Sequence, residues 1–446
     1  MSPPASAEPP REPASAEPPG PFAEPTGSPA SAEPPGSFAE PTGPPGPFAE
    51  PTGPPGPFAE LTGQDAVVAQ LRRASAAATA VLAGERPEPG AMTHAWLFTG
   101  PPGSGRSVAA RAFAAALLCP SGGCGHCPSC LQVQAGTHAD LLLVRPEGLS
   151  YGVKQTRDLV LRAAGAPASG RWQVVVFEDA DRCTEQAANA LLKAIEEPTP
   201  RTVWLLCAPS AEDLVPTIRS RCRVVTLVVP SSAAVAKVLM TRDGIEPAAA
   251  LAAARAAQGH VGRARRLALD ASAAARRADV LRVPLAAVSL GPALSAAASL
   301  VRTAEDEAKA VTEELDEPER ESLRRAFGEG STGKGVAKAM RGMAGAMKDL
   351  EDRQKSRATR VKRDMLDQAL LDLAVFYRDV LMLQVGADVE LANGDRSADL
   401  QSVAAASTPE STLRRLQAIM GCRERLTLNV APLLAVEDMT LSLVKG

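Results

Sequence analysis

No run of about 18 apolar residues occurs in this chain, which excludes a transmembrane helix of ordinary length. The N-terminus lacks the basic-then-apolar pattern of a secretory signal, so the expected location is the cytoplasm. A large net charge is missing too. The total is -3, and residues 1–56 hold seven Glu and one Arg, net -6. Subtracting -6 from -3 leaves +3 for the remainder, too little to announce nucleic-acid binding by whole-body charge alone. Finally, glycine does not recur every third residue in the Pro/Gly-rich start, which excludes a collagen-like helix there.

What is present is enough for two to four domains: 446 residues with 45% hydrophobic content. Twenty of the 39 prolines fall in the first 60 residues, in copies of AEPPGPFAEPTG. Residues 1–56 therefore read as a disordered repeat extension, because Pro and Gly at this density bury too little surface to offset chain entropy. The last copy replaces Pro with Leu61 and runs through Gln64 and Asp65 into a helical pattern, so folding is expected to start near residue 57.

Leu97-Phe98-Thr99 reads as a strand that enters Gly100-Pro101-Pro102-Gly103-Ser104-Gly105-Arg106-Ser107 and then a helix. That is the layout of a phosphate-binding loop, in which glycines let backbone N–H groups curl round an anion at a helix N-terminus. Gly100, Gly103, Gly105, Arg106 and Ser107 are its candidate residues. The pattern wants Lys where Arg106 stands. Lys is a compact charge that reaches the terminal phosphates, whereas Arg is a bulky planar fork. The run Gln173–Phe177 reads as a central strand ending in Glu178-Asp179, the place where such folds carry a magnesium-binding carboxylate and a water-positioning base. Further strands over 141–144, 202–207 and 224–228 alternate with helices, so residues 57–228 are expected to form a doubly wound α/β domain with a parallel sheet.

Cys119, Cys124, Cys127 and Cys130 lie within twelve residues as C-x4-C-x2-C-x2-C. Four thiolates suit a tetrahedral, structural Zn2+ with no open position; a redox CxxC pair or disulfides are the rival readings. His126 is expected to be solvated. From Ser231 the pattern is helical: a helical lid over 229–274, then a helical region over 275–446 interrupted by a polar stretch near 303–360. Within it, Gly328–Gly335 mimics a phosphate loop but follows no strand and is expected to be a loop. Arg353, Lys355, Arg357, Arg360, Lys362 and Arg363 form a basic run that reads as a solvated or a phosphate-contacting helix face.

Several segments together resemble the AAA+ clamp-loader subunits of bacterial DNA polymerase III, the delta-prime kind above all. They are His94–Gly100, the four cysteines, Gly136-Thr137-His138, the helix Asn189–Pro198, Ser220-Arg221-Cys222 and Asn429–Glu437. The resemblance implies an AAA+ module with a zinc module, a lid and an oligomerising collar. Its partners would be gamma/tau and delta subunits and, through the complex, the sliding clamp and primed DNA. It also implies that Arg221 acts in trans as an arginine finger on the ATP of a neighbouring subunit. Four departures from the ATP-hydrolysing kind imply a stator with a degenerate site of its own, where ATP and Mg2+ are doubtful: Arg106 for Lys, Glu178-Asp179 for Asp-Glu, Pro209 near a sensor position, and Gly262 where a second sensor Arg would sit. The alternatives are a gamma/tau-like motor ATPase and a nucleotide-independent scaffold.

Overall fold

The computed structural model describes residues 56–326, 336–428 and 430–446. The repeat extension through residue 55, the loop-like decoy Gly328–Gly335 and Asn429 lie outside these residues.

Helix α1 (Asp65–Leu82) is followed by β1 (Ala95–Thr99), α2 (Arg106–Leu118), α3 (Pro128–Ala135), β2 (Leu141–Val144), α4 (Val153–Ala163) and β3 (Gln173–Phe177). Then come α5 (Glu185–Glu196), β4 (Thr202–Ala208), α6 (Pro216–Arg219) and β5 (Arg223–Thr226). The five strands are all parallel in the order β2-β3-β4-β1-β5. Every residue of β1, β3 and β4 is buried, as their continuous apolar runs require of strands covered on both faces. Alternation sorts the side chains. Trp96, Phe98, Val174, Val176 and Leu205 pack with α1 and α2 on one face. Leu97, Val175, Phe177, Trp204 and Leu206 pack with α4 and α5 on the other. The fold therefore has the two-sided parallel sheet expected from sequence. Phe58 and Leu61, in the last copy of the repeat, are buried in the first of these cores.

The carboxyl ends of β1 and β3 carry the glycine loop and the acid pair. One strand, β4, separates them, so the two segments start about 10 Å apart on the same sheet edge.

A three-helix cluster follows: α7 (Ser232–Asp243), α8 (Pro247–Ala257) and α9 (Val261–Leu269), packed through Val235, Leu239 and a set of alanines. Next come α10 (Ala271–Val280), α11 (Val283–Ala286), α12 (Leu290–Ala326), α13 (Val336–Gln384), α14 (Ser397–Ala405), α15 (Pro409–Thr427) and α16 (Pro432–Lys445). Their shared core contains Leu281, Leu300, Leu370, Phe376, Ile419, Val436 and Met439.

One expectation is corrected here. Within the polar stretch 303–360, the described residues 303–326 and 336–360 are helical, as parts of α12 and α13, and these two helices pack together. Ala297, Val301, Ala304, Ala308 and Thr312 are buried at helical spacing on α12. Small residues let the two backbones approach, and polar zips complete the seam: Gln354 donates to the Asp316 carbonyl at 3.1 Å and Arg357 meets Glu319 at 2.6 Å. A scan for large apolar residues misses such a seam.

Candidate functional site

The glycine loop is built by positive-φ glycines. Gly103 and Gly105 have φ of 90° and 91°, and a Cβ on Gly103 would lie 2.9 Å from the His260 Cβ. His260 caps α9, so the start of that helix rests directly on the loop. Gly100 donates its N–H to the Pro209 carbonyl at 3.0 Å, joining the loop to the end of β4. Gln64, buried just before α1, donates to the Val228 carbonyl at 2.6 Å and the Ser104 carbonyl at 3.3 Å, and accepts from the Val228 N–H at 3.3 Å. Sequence reasoning gave Gln64 no role, since its partners lie 40 and 164 residues away.

Arg106 turns back and donates to the Gly100 carbonyl at 2.8 Å. Ser107 follows it in the first turn of α2. At the end of β3, Glu178 accepts two hydrogen bonds from Arg145, at 3.0 and 3.3 Å. Asp179 has φ of 50°, in the left-handed region, and meets Arg360 at 3.0 Å and Arg182 at 3.9 Å. Beside it, burial and the Asp179 charge push the Asp181 carboxyl above its usual range. The loop, the acid pair, Pro209 and His260 do come together on one sheet edge. The loop cation and both carboxylates have partners within the chain, and Arg145 and Arg360 were not anticipated in this role.

Arg221 lies elsewhere, just beyond α6 and before the edge strand β5. Its side chain is 40% exposed and pairs with Glu196, 42% exposed, at 2.7 Å. A second nitrogen donates to the Thr217 carbonyl at 2.8 Å. Glu196 is the last residue of α5, where a helix disfavours negative charge, so the guanidinium compensates that end. The same turn is pinned by the His94 ring, 2.8 Å from the Ile195 carbonyl.

The four cysteines form a compact knot. All four Sγ atoms lie within 4.8 Å of one another, with Cys119 3.7 Å from Cys124 and 3.6 Å from Cys127. Sulfurs at about 2.3 Å from a tetrahedral zinc would be about 3.8 Å apart, so the residues fit a metal. Each sulfur also accepts a backbone N–H: Cys124 to Cys119, Cys127 to Cys124, Cys130 to Cys127 and Gly125 to Cys130, at 3.4–3.5 Å. Burial opposes ionisation of Cys119, yet the N–H groups of Cys124, Gly123 and Ser121 outweigh it and bring the thiol down to about 6. All eight cysteines are unbonded thiols here. His126 is exposed, and its ring sits 3.0 Å from the Cys124 carbonyl. The four cysteines can hold a metal such as zinc.

Comparison with known proteins adds the lineage. Residues 79–231 match the family described as DNA polymerase III, delta subunit. The chain is similar to DNA polymerase III subunit delta' of Pseudomonas aeruginosa, 40% identical over 35% of this chain and 50% of that one. It is similar to the Escherichia coli subunit delta', 37% identical over 38% of this chain and 53% of that one. It is also similar to subunit gamma/tau of Mycobacterium tuberculosis, 36% identical over 30% of this chain and 24% of that one. The chain thus spans about half the length of the delta' relatives it matches. Among the described residues no helix is long and apolar enough to cross a membrane. Residues 79–231 are therefore similar to the DNA polymerase III delta-subunit family.

Proposed function

We propose that this protein is a delta-prime-like clamp-loader subunit, a stator that hydrolyses no ATP itself and lends Arg221 to the nucleotide of a neighbouring subunit. On this reading residues 57–228 are the AAA+ module, 229–274 the lid and 275–446 the collar, and the four cysteines hold a structural zinc. The partners are gamma/tau and delta subunits, with the sliding clamp and primed DNA reached through the complex, in the cytoplasm.

The observation that carries the reading is a contrast between two sets of charges. Arg106, Glu178 and Asp179 are consumed by partners inside the chain. Arg221 stands two-fifths exposed beside the edge strand, held by an exposed carboxylate, the Thr217 carbonyl and the Ser220 hydroxyl. Phosphoryl transfer spreads charge over the γ-phosphate oxygens, and a planar guanidinium supplied in trans can stabilise it by on the order of 10³–10⁵ in rate where hydrolysis depends on it. Exchanging an exposed ion pair for a phosphate costs little, since such pairs are worth about 0–1 kcal/mol.

The test is DNA- and clamp-stimulated ATPase of the complex rebuilt with Arg221→Ala. Expected are normal folding and assembly, slower turnover at one site and weaker clamp loading; Arg221→Lys should rescue poorly, because the fork is lost. Wild-type turnover with Arg221→Ala leaves the idle scaffold. The similarity to gamma/tau chains favours a second reading, a motor ATPase, and steady-state ATPase of the isolated protein separates the two: the stator shows none.

A further inference from the structure

The basic run on α13 has no place in that reading, yet it joins the helical collar region to the sheet region through ion pairs. Arg360 is its centre. One guanidinium nitrogen meets Asp179 at 3.0 Å, another donates to the Pro146 carbonyl, and Nε lies 3.5 Å from Asp364. Arg182 closes the ring from the other side, 3.6 Å from Asp364 and 3.9 Å from Asp179. Two more contacts extend the seam: Arg353 lies 3.9 Å from Glu147, and Gly148 presents to Ser356 a face where a Cβ would be only 3.4 Å from the serine Cβ.

Two features make this more than a surface ion pair. The Arg360 and Asp179 side chains are only 21% and 30% exposed, so solvent screens them less than a typical surface pair. And Asp179 holds a left-handed backbone conformation that a non-glycine residue adopts seldom, and only where surroundings fix it. Behind Arg360, α12 holds α13 in place through Lys362 with Glu305 at 3.2 Å and the Arg357–Glu319 pair.

We propose that the paired helices α12 and α13 act as an ionic strap. Arg360 engages Asp179, the carboxylate that would position water in a working site, and by doing so ties the sheet region to the collar helices. The degenerate acid pair is thus reused as a docking point for the chain's own helix. This does not depend on whether Arg221 acts in trans.

The test uses the full-length protein and hydrogen–deuterium exchange at peptides covering 145–152 and 353–364. Arg360→Ala and Asp179→Asn should each raise exchange at both segments, on the order of tenfold for a lost charge-assisted contact. The double variant should fall short of the sum of the two singles, because both remove one shared contact. Arg360→Lys, which keeps the charge and loses the fork, should fall between. In the unmodified protein about 1 M NaCl should reproduce part of the rise, since it shortens screening to about 3 Å, while 10 mM MgCl2 should leave exchange at 178–182 unchanged. Melting and circular dichroism check that each variant is folded; Asp179→Asn, nearly isosteric, stands in if Arg360→Ala is not. The proposal is overturned if the folded single variants leave 145–152 unchanged, if their effects add in the double, or if Mg2+ slows exchange at 178–182 as a bound ion would.

Discussion

Consider Cys127→Ala. Between Cys119 and Cys130 only those two residues are buried, so this segment has almost no apolar core of its own. Cys127 itself is half-buried, and truncating its side chain removes little packing. Its sulfur does two things: it faces Cys119 at 3.6 Å, and it accepts the Cys130 N–H at the N-terminus of α3. One lost neutral hydrogen bond is worth about 1 kcal/mol. If the knot holds zinc, the loss is larger, because a ligand present at about a thousand times its dissociation constant stabilises the folded state by about 4 kcal/mol. For a unit of 150–250 residues each kcal/mol shifts the midpoint by about 2–4 °C, so metal loss should lower the melting temperature by about 8–16 °C. Hydrogen bonding alone predicts at most about 4 °C. The assay is melting with and without a strong chelator, alongside elemental analysis of protein prepared in reducing, chelator-free buffer. Unmodified protein should carry one zinc per chain and lose stability to the chelator, while Cys127→Ala should start low and ignore it. A variant that keeps its metal, or an unmodified protein with well under half an equivalent, refutes the argument.

Other outcomes follow from individual contacts. Asp140 is buried, and although burial opposes its charge, hydrogen bonds from Ser169 and Ala168 hold its carboxyl below the usual range. A depressed carboxylate stabilises above its unfolded pKa and loses that contribution as pH falls through the folded value, so Asp140→Asn should cost about 1.5–3 kcal/mol at pH 7 and progressively less below about pH 4 in urea titrations. Gly103→Ala places a Cβ 2.9 Å from His260 at positive φ, whereas Gly170→Ala, also at positive φ, meets nothing within 4 Å. Both should lose about 1–2 kcal/mol for the backbone, and only Gly103→Ala should also raise hydrogen exchange in α9. Glu196→Gln should change stability by less than about 1 kcal/mol, since the pair is exposed. In the rebuilt complex it should lower turnover less than Arg221→Ala does, because the Thr217 carbonyl still orients the guanidinium.

What could be read in the sequence was what is local or periodic. The strands β3 and β4 announced themselves because burial on both faces demands unbroken apolar runs. The cysteine knot was legible because its spacing is confined to twelve residues. The edge strand was overextended: Val224–Val228 was expected and β5 ends at Thr226, although Leu227 still donates to the Thr99 carbonyl at 2.8 Å. Pairing across long separations was not legible. Nothing near Arg360 points to Asp179, 181 residues upstream, and nothing near Arg221 points to Glu196. The polar stretch hid its helical parts because the described buried side chains, Ala304, Ala308, Thr312, Asp316, Leu350 and Gln354, include one large apolar residue.

The charges tell a connected story about where this protein can and cannot engage a phosphate. A triphosphate needs a free cation in the loop and a free carboxylate for the metal beside it. Arg106 faces the Gly100 carbonyl, Arg145 neutralises Glu178, and Arg182 and Arg360 hold Asp179. Reviving this site by Arg106→Lys alone should therefore fail, because it restores the reach of the loop cation while Asp179 stays engaged. Arg106→Lys combined with Arg360→Ala removes two of these obstacles and leaves Arg145 on Glu178 and the longer Arg182 contact on Asp179. If the internal pairs are what closes the site, nucleotide affinity measured by fluorescent-ATP titration should rise in the double variant beyond the sum of the singles. If affinity rises fully in Arg106→Lys, the loop residue alone closes the site and the carboxylate pairing is incidental to it. If neither change nor their combination admits nucleotide, the block lies in the packing of His260 on Gly103, and Gly103 with its 2.9 Å contact becomes the next position to open.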